Sequence, residues 1–146
     1  MGRWFEIASN RPAFQADCFC TTAEYALVLQ PDGSPKVDVK NSCNRGNADG
    51  SLSVAIGSAT IPDANTAGKL TVQFGPFAPP ETNYWIVALA EDYTWAVVSS
   101  KTRSPLYLLG RERSLPQSTI DQVVADLTAR GFNTAILDFT VQNGCR

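Results

Sequence analysis

The sequence predicts an all-β fold: an eight-stranded antiparallel up-and-down β-barrel with one C-terminal α-helix packed outside it and a short ninth strand. Three observations carry this. Eight short runs of alternating or continuous apolar residues follow one another between turn-forming loops, the apolar period then switches once to that of a helix, and one more short apolar run closes the chain. Closing eight antiparallel strands removes the exposed edges that an open sheet would leave. It also encloses a space wide enough for one small ligand.

The first run, "GRWFEIAS", sets Trp4, Glu6 and Ala8 against Phe5, Ile7 and Ser9, the rhythm of a strand with two different faces. A loop containing Pro12 follows, then "FCTTAEYALVL" at 19–29 as the second strand. "PDGS" at 31–34 has the residues of a tight turn, and "KVDVKNSC" at 36–43 returns with Val37, Val39 and Asn41 on one face, which makes a hairpin. Beyond "NRGNADG", the run "SLSVAIGSATI" at 51–61 sets Leu52, Val54 and Ile56 in phase opposition to Gly57 and Ala59. That conflict implies either a bulge near Gly57 or an outward apolar patch suited to a partner, such as a second copy of the chain.

"KLTVQF" at 69–74 places Leu70, Val72 and Phe74 on one face, and the proline-rich "GPFAPPETN" connects it to "YWIVALA" at 84–90. After a short "EDY" turn come "WAVVSS" at 95–100 and "PLYLLGR" at 105–111. In "STIDQVVADLTARGF", Ile120, Val123, Val124 and Leu127 recur at helical spacing. Ser118 is the expected N-cap and Gly131 the expected stop. "AILDFTV" at 135–141 is the ninth strand.

A chain of 146 residues is one domain by length, 1–146, and can bury a substantial core. Its net charge of −2, without a run of like charge, gives no electrostatic footprint for nucleic acid or an anionic membrane surface. No apolar run approaches the roughly 20 residues that span a bilayer as a helix. No signal peptide precedes the first strand, so a targeting segment, if there is one, is expected ahead of Met1.

Cys18, Cys20, Cys43 and Cys145 permit two disulfides in three pairings, which favours a non-cytosolic, oxidising compartment. The competing reading of Cys18-Phe19-Cys20 is a metal or redox pair, yet there is no second close pair and no histidine to complete a zinc site. The lack of histidine also removes the usual general base and the Ser-His and Cys-His nucleophile pairs. P-loop and dinucleotide fingerprints are absent, so neither cofactor nor metal is expected. Glu91 and Asp92 are adjacent carboxylates, but at a turn, where Asp commonly accepts backbone N–H bonds.

The order of elements and three motifs resemble the lipocalin family, and within it the apolipoprotein D and bacterial outer-membrane lipocalin branch. The motifs are Gly2-Arg3-Trp4 on the first strand, Glu91-Asp92-Tyr93 at a turn usually read Thr-Asp-Tyr, and Arg111 in "LLGRER" closing the last barrel strand. Longer similarity lies in "WFEIA", "LTVQFGPF", "NYWIVALAEDY" and "TIDQVVADLTARGF".

That resemblance implies a structural set, Gly2, Trp4, Asp92, Tyr93 and Arg111, with the Arg111 guanidinium across the Trp4 ring at the closed end and neither residue touching ligand. It implies a pocket lined by Tyr25, Asn41, Phe74, Tyr84, Tyr107 and Leu109. It implies a disulfide between Cys20 and Cys145, which leaves Cys18 with Cys43, a pair whose face parity requires a bulged strand. The implied function is binding, transport or scavenging of a small lipophilic molecule such as a fatty acid or lysolipid. A chain of ~15 buried methylenes would reach roughly micromolar affinity. The alternative is a lipocalin-fold enzyme acting on a lipophilic substrate.

Overall fold

A computed structural model describes residues 1–10, 16–66, 68–77 and 79–145. The Pro12 loop, and Ala78 of the proline-rich connection, lie outside the described residues. The strands are β1 (Gly2–Ser9), β2 (Cys18–Leu29), β3 (Pro35–Arg45), β4 (Ser51–Thr60), β5 (Lys69–Gln73), β6 (Tyr84–Leu89), β7 (Trp95–Ser99), β8 (Tyr107–Gly110) and β9 (Asp138–Phe139), with the helix α1 (Gln117–Ala129) between β8 and β9. Each of β2 to β8 pairs antiparallel with the next, and β1 pairs with both β8 and β2, so eight strands close into a barrel. Strand β9 adds to β1, with Ala8 opposite Phe139 and Ser9 opposite Asp138.

Two apolar layers follow from strand alternation. Trp4, Ala96, Val98 and Leu109 form one inward cluster, and Val37, Val39 and Ala59 another. Outside, Ile120, Val123 and Leu127 of α1 pack on Val97, Leu106 and Leu108 and on both Ile7 and Ala8. Two consecutive β1 residues can share that outer face because the β1–β8 register shifts between Glu6 and Ala8. A bulge there turns one residue more toward the helix than simple alternation allows.

The helix starts one residue before the expected cap. Pro116 takes the N-cap position with no side-chain cap, and Ser118 sits inside the first turn. The carbonyl of Pro116 accepts from Thr119 and Ile120, so the ring fixes the entry angle that Ser118 was expected to provide. The C-terminus matches the expected stop. Gly131 has φ +90°, and paired bonds from Gly131 N–H to Thr128 and from Phe132 N–H to Leu127 close the helix.

Gly57 is not at a bulge. The β3–β4 register runs unbroken from Val37–Ala59 to Arg45–Ser51, so Leu52, Val54 and Ile56 form an outward stripe, exposed by 68%, 43% and 65%. Glycine is required at 57 for space: a Cβ there would lie 2.5 Å from the Gln73 carbonyl oxygen and 2.7 Å from the Phe74 ring. The ninth strand is shorter than 135–141, because Thr134–Ile136 turn as a 3-10 helix before pairing begins.

Both disulfides are present, Cys18–Cys43 and Cys20–Cys145, and the described residues include no free cysteine. The bulge that the Cys18–Cys43 pair requires lies in β2, where the register against β3 shifts between Phe19 and Thr22 and Cys20 has φ 59°. Cys20–Cys145 fastens a tail that is threaded into the barrel wall. Thr140 N–H donates to the Ile7 carbonyl on β1, Cys20 N–H on β2 donates to the Val141 carbonyl, and Gln142 Nε2 donates to the carbonyls of both Glu6 and Thr21.

Candidate functional site

The barrel interior holds a cavity of about 180 Å3 whose wall is overwhelmingly apolar. Val37 (β3), Ala59 (β4), Leu70 and Val72 (β5) form one side, and Ala96, Val98 (β7) and Leu109 (β8) the other. Their faces follow from period-two alternation on paired strands, for example Val37 opposite Ala59 and Ala59 opposite Val72. Ala59 leaves room where a larger side chain would fill the space.

The polar features of this wall are few. Tyr25 and Tyr84 meet edge to face, ring centroids 6.2 Å apart, and their hydroxyls share a 2.8 Å hydrogen bond. Burial is the main cause that raises the Tyr25 phenol above its usual range, partly opposed by the bond from Tyr84. Tyr84 is raised further, first by burial and then by the proximity of Tyr25. Tyr107 is also raised, first by burial and then by the charge of Glu6.

These tyrosines predict a pH dependence with a definite sign. The folded chain holds their protons more tightly than the unfolded chain, whose phenols titrate near 10. Their contribution is therefore complete below about pH 10 and declines as pH rises beyond it. Tyr84→Phe is expected to flatten the fall of the melting temperature between pH 10 and 11.5, a comparison that thermal scans across that range provide.

At one end of the cavity stand the motif residues. The Arg111 guanidinium carbon lies 3.8 Å from the centroid of the Trp4 ring, and Arg111 Nη1 donates to the Arg3 carbonyl at 3.0 Å. Such stacking contributes roughly 0.5 to 2 kcal/mol. Gly2 sits beneath with φ +82°, where an added Cβ would be 3.2 Å from Arg111 Nη1, so both conformation and space call for glycine. At the β6–β7 turn, one Asp92 carboxylate oxygen accepts from Thr94 N–H and Thr94 Oγ1, which holds its pKa below the usual range. Tyr93 adopts φ 60° in the same turn.

Of the six pocket residues implied by resemblance, Tyr25, Tyr84 and Leu109 line this cavity. Tyr107 is half-buried and packs on the inward cluster around Trp4 and Leu109. Asn41 faces the same way as Val39 but lies two residues farther along β3, between Ala23 and Ala55. Phe74, just past β5, is 48% exposed with its ring against Gly57. Trp4, Arg111, Tyr93 and Met1 line the cavity too, so the closed-end residues form part of its wall. The signal for Val37, Leu70 and Val72 was available in the alternation that groups them with Asn41 and Phe74. Alternation also set Ala59 opposite the outward Leu52, Val54 and Ile56, whereas no local pattern marks Ala96 or Ile86.

Comparison with known proteins agrees with this architecture. A family profile described as "Lipocalin-like domain" matches residues 1–142. Temperature-induced lipocalin-1 of Arabidopsis thaliana is 34% identical, the match covering 98% of this chain and 77% of that protein. Apolipoprotein D of Mus musculus is 32% identical over 99% of this chain and 76% of its own. Outer membrane lipoprotein Blc of Vibrio cholerae is 30% identical over 97% and 80%. Among solved structures, lobster apocrustacyanin A1 superposes with a TM-score of 0.67 at 18% identity, covering 98% of this chain and 77% of that one. Insecticyanin from the tobacco hornworm Manduca sexta gives 0.69 at 20% identity, covering 95% and 76%. Motifs, closed barrel and sequence similarity over almost the whole chain agree: this protein is a member of the lipocalin family.

Proposed function

We propose that this chain binds a slender, single-chain lipophile in the barrel, for carriage or scavenging. The observation that carries the reading is the cavity itself, closed in by Val37, Ala59, Val72, Val98 and Leu109. Its volume of about 180 Å3 is close to that of an engineered apolar cavity of ~150 Å3 that admits benzene. That suits roughly six to eight carbons rather than the whole of a ~15-methylene fatty-acid chain. Seven methylenes at ~0.8 kcal/mol contribute about 6 kcal/mol gross, so a longer chain gains most from its first buried half. Of the Tyr25–Tyr84 pair, one hydroxyl donates to the other, and the second keeps an O–H to offer a ligand's acceptor.

A binder suits these residues better than an enzyme. The chain has no histidine, its four cysteines are paired, and the Asp92 carboxylate is engaged by Thr94 at an exposed turn. Two disulfides, and relatives that include an outer membrane lipoprotein, support work in an oxidising, non-cytosolic compartment. The outward stripe of Leu52, Val54 and Ile56 supports a second, compatible role as a homodimer contact, which sedimentation at rising protein concentration checks.

Native mass spectrometry of protein purified from its source tests the principal reading. One bound alkyl lipid per chain is expected. An empty protein that no C8–C14 lipophile stabilises against heat would overturn it.

A further inference from the structure

We propose that two copies of this chain pair through β4, antiparallel and edge to edge, with Val54 on the two-fold axis. This rests on the homodimer reading of the outward stripe above and deepens it, from an apolar contact to a strand ladder of stated register. The first observation is an open edge. Strand β4 runs from Ser51 to Thr60, and β5 pairs only with Ser58, Ala59 and Thr60. Among the described residues, the stretch from Ser51 to Gly57 pairs with β3 on one side and with no strand on the other. Strand β5 leaves the ladder at Gly57, where the Gln73 carbonyl and the Phe74 ring crowd the inner face.

Nothing in this stretch blunts the edge. Exposed strand edges are ordinarily protected by charge, proline, a bulge or shortness. Ser51–Gly57 contains no charged residue and no proline, and its register against β3 is unbroken. The strand added to β1, by contrast, is two residues long and opens on Asp138.

The sequence of the edge selects a second copy as its partner, because the stripe is self-complementary. With Val54 opposite Val54, Leu52 of each copy falls opposite Ile56 of the other, so all three exposed side chains meet apolar neighbours on one face. Moving the axis to Ser53 sets Ile56 opposite Gly50, and moving it to Ala55 sets Leu52 opposite Ser58. Charge agrees. Of the β3 residues opposite the stripe, Asn44, Ser42 and Lys40, only Lys40 is charged, and its Nζ lies 3.7 Å from Glu24. No like charges are therefore forced together at the seam. Size agrees with a reversible dimer. The paired stretch forms a ladder about 24 Å long. Covering that edge and its side chains buries on the order of 1,000 Å2 over both copies, the lower end for a specific interface.

The test is sedimentation equilibrium of the parent, of Val54→Lys and Val54→Glu alone, and of the two variants mixed, with circular dichroism confirming the fold. The parent is expected to dimerise with a micromolar Kd. Each variant alone should dimerise at least tenfold more weakly, since two like charges then meet on the axis. The mixture should pair at least tenfold more tightly than either variant alone, because the opposite charges meet only where position 54 faces itself. If either variant does not fold, amide exchange of the parent decides: protection of alternate amides between Ser51 and Gly57 that rises with protein concentration supports the ladder, and protection independent of concentration overturns it. A mixture that stays monomeric while the parent dimerises overturns the register and leaves the stripe as the contact. A dimer equally strong in both variants overturns the stripe reading and this one together. So does a parent that stays monomeric at high micromolar concentration, and its binding to phosphatidylcholine vesicles, lost in Val54→Lys, would assign the stripe to a lipid surface instead.

Discussion

Replacing Trp4 with alanine is expected to destabilise the protein by about 3 to 5 kcal/mol, the range for removing a buried tryptophan from a core. Trp4 is 7% exposed and packs with Ala96, Val98 and Leu109, while its other face carries Arg111. The substitution removes the indole, leaves a void, and strips the guanidinium of its platform. Trp4→Phe restores most of the apolar contact and a weaker ring face, so it should cost much less. Chemical denaturation of the three proteins measures both steps. A Trp4→Ala protein within 1 kcal/mol of the parent would show that β1 is not anchored through this residue. Because Trp4 also lines the cavity, the void should widen it, and bulkier lipophiles should gain affinity relative to decanoate in whatever fraction remains folded.

Opening the Cys20–Cys145 disulfide as a Ser/Ser double variant is expected to cost up to about 5 kcal/mol, by the loop-entropy relation for a separation of 125 residues. The same relation gives about 3.5 kcal/mol for Cys18–Cys43, whose separation is 25. The order of the two losses is a sharper prediction than either value. Local consequences differ as well. Without the Cys145 link, the tail that carries Thr140, Val141 and Gln142 is held between β1 and β2 by hydrogen bonds alone. Amide exchange at Thr140 and at position 20 should then accelerate well before global unfolding. Equal protection of these amides in both double variants would show that the tail does not depend on its disulfide.

The parts of the fold set by local chemistry could be read from the chain. Alternating or continuous apolar runs between turns located each barrel strand, the spacing of Ile120, Val123, Val124 and Leu127 located the helix, and Gly131 marked its end. The parts set by non-local register could not. Nothing near Ile7 shows that a shift against β8 sends Ile7 and Ala8 to one face. Nothing near Gln142 shows that its amide will bridge Glu6 and Thr21, more than 120 residues away.

The candidate site divides the same way. Tyr25, Tyr84 and Leu109 line the cavity, whereas Asn41 and Phe74 share the face of their wall-forming neighbours and lie beyond the enclosed volume. Face is fixed by parity along one strand, but depth within a barrel depends on how every strand is staggered against the next. The face of Ala59 was legible from its phase against Leu52, Val54 and Ile56, but its part in the cavity was not. A small residue contributes to a cavity through the space it leaves.

That space provides the most direct measurement of the central claim. Ala59 is 2% exposed and stands between Val37 and Val72 on the cavity wall. Ala59→Phe should fill the volume, keep the fold as judged by circular dichroism, and reduce binding of ten-carbon lipophiles by at least tenfold in calorimetric titration. A folded Ala59→Phe protein that binds them as tightly as the parent would contradict the placement of the ligand inside the barrel.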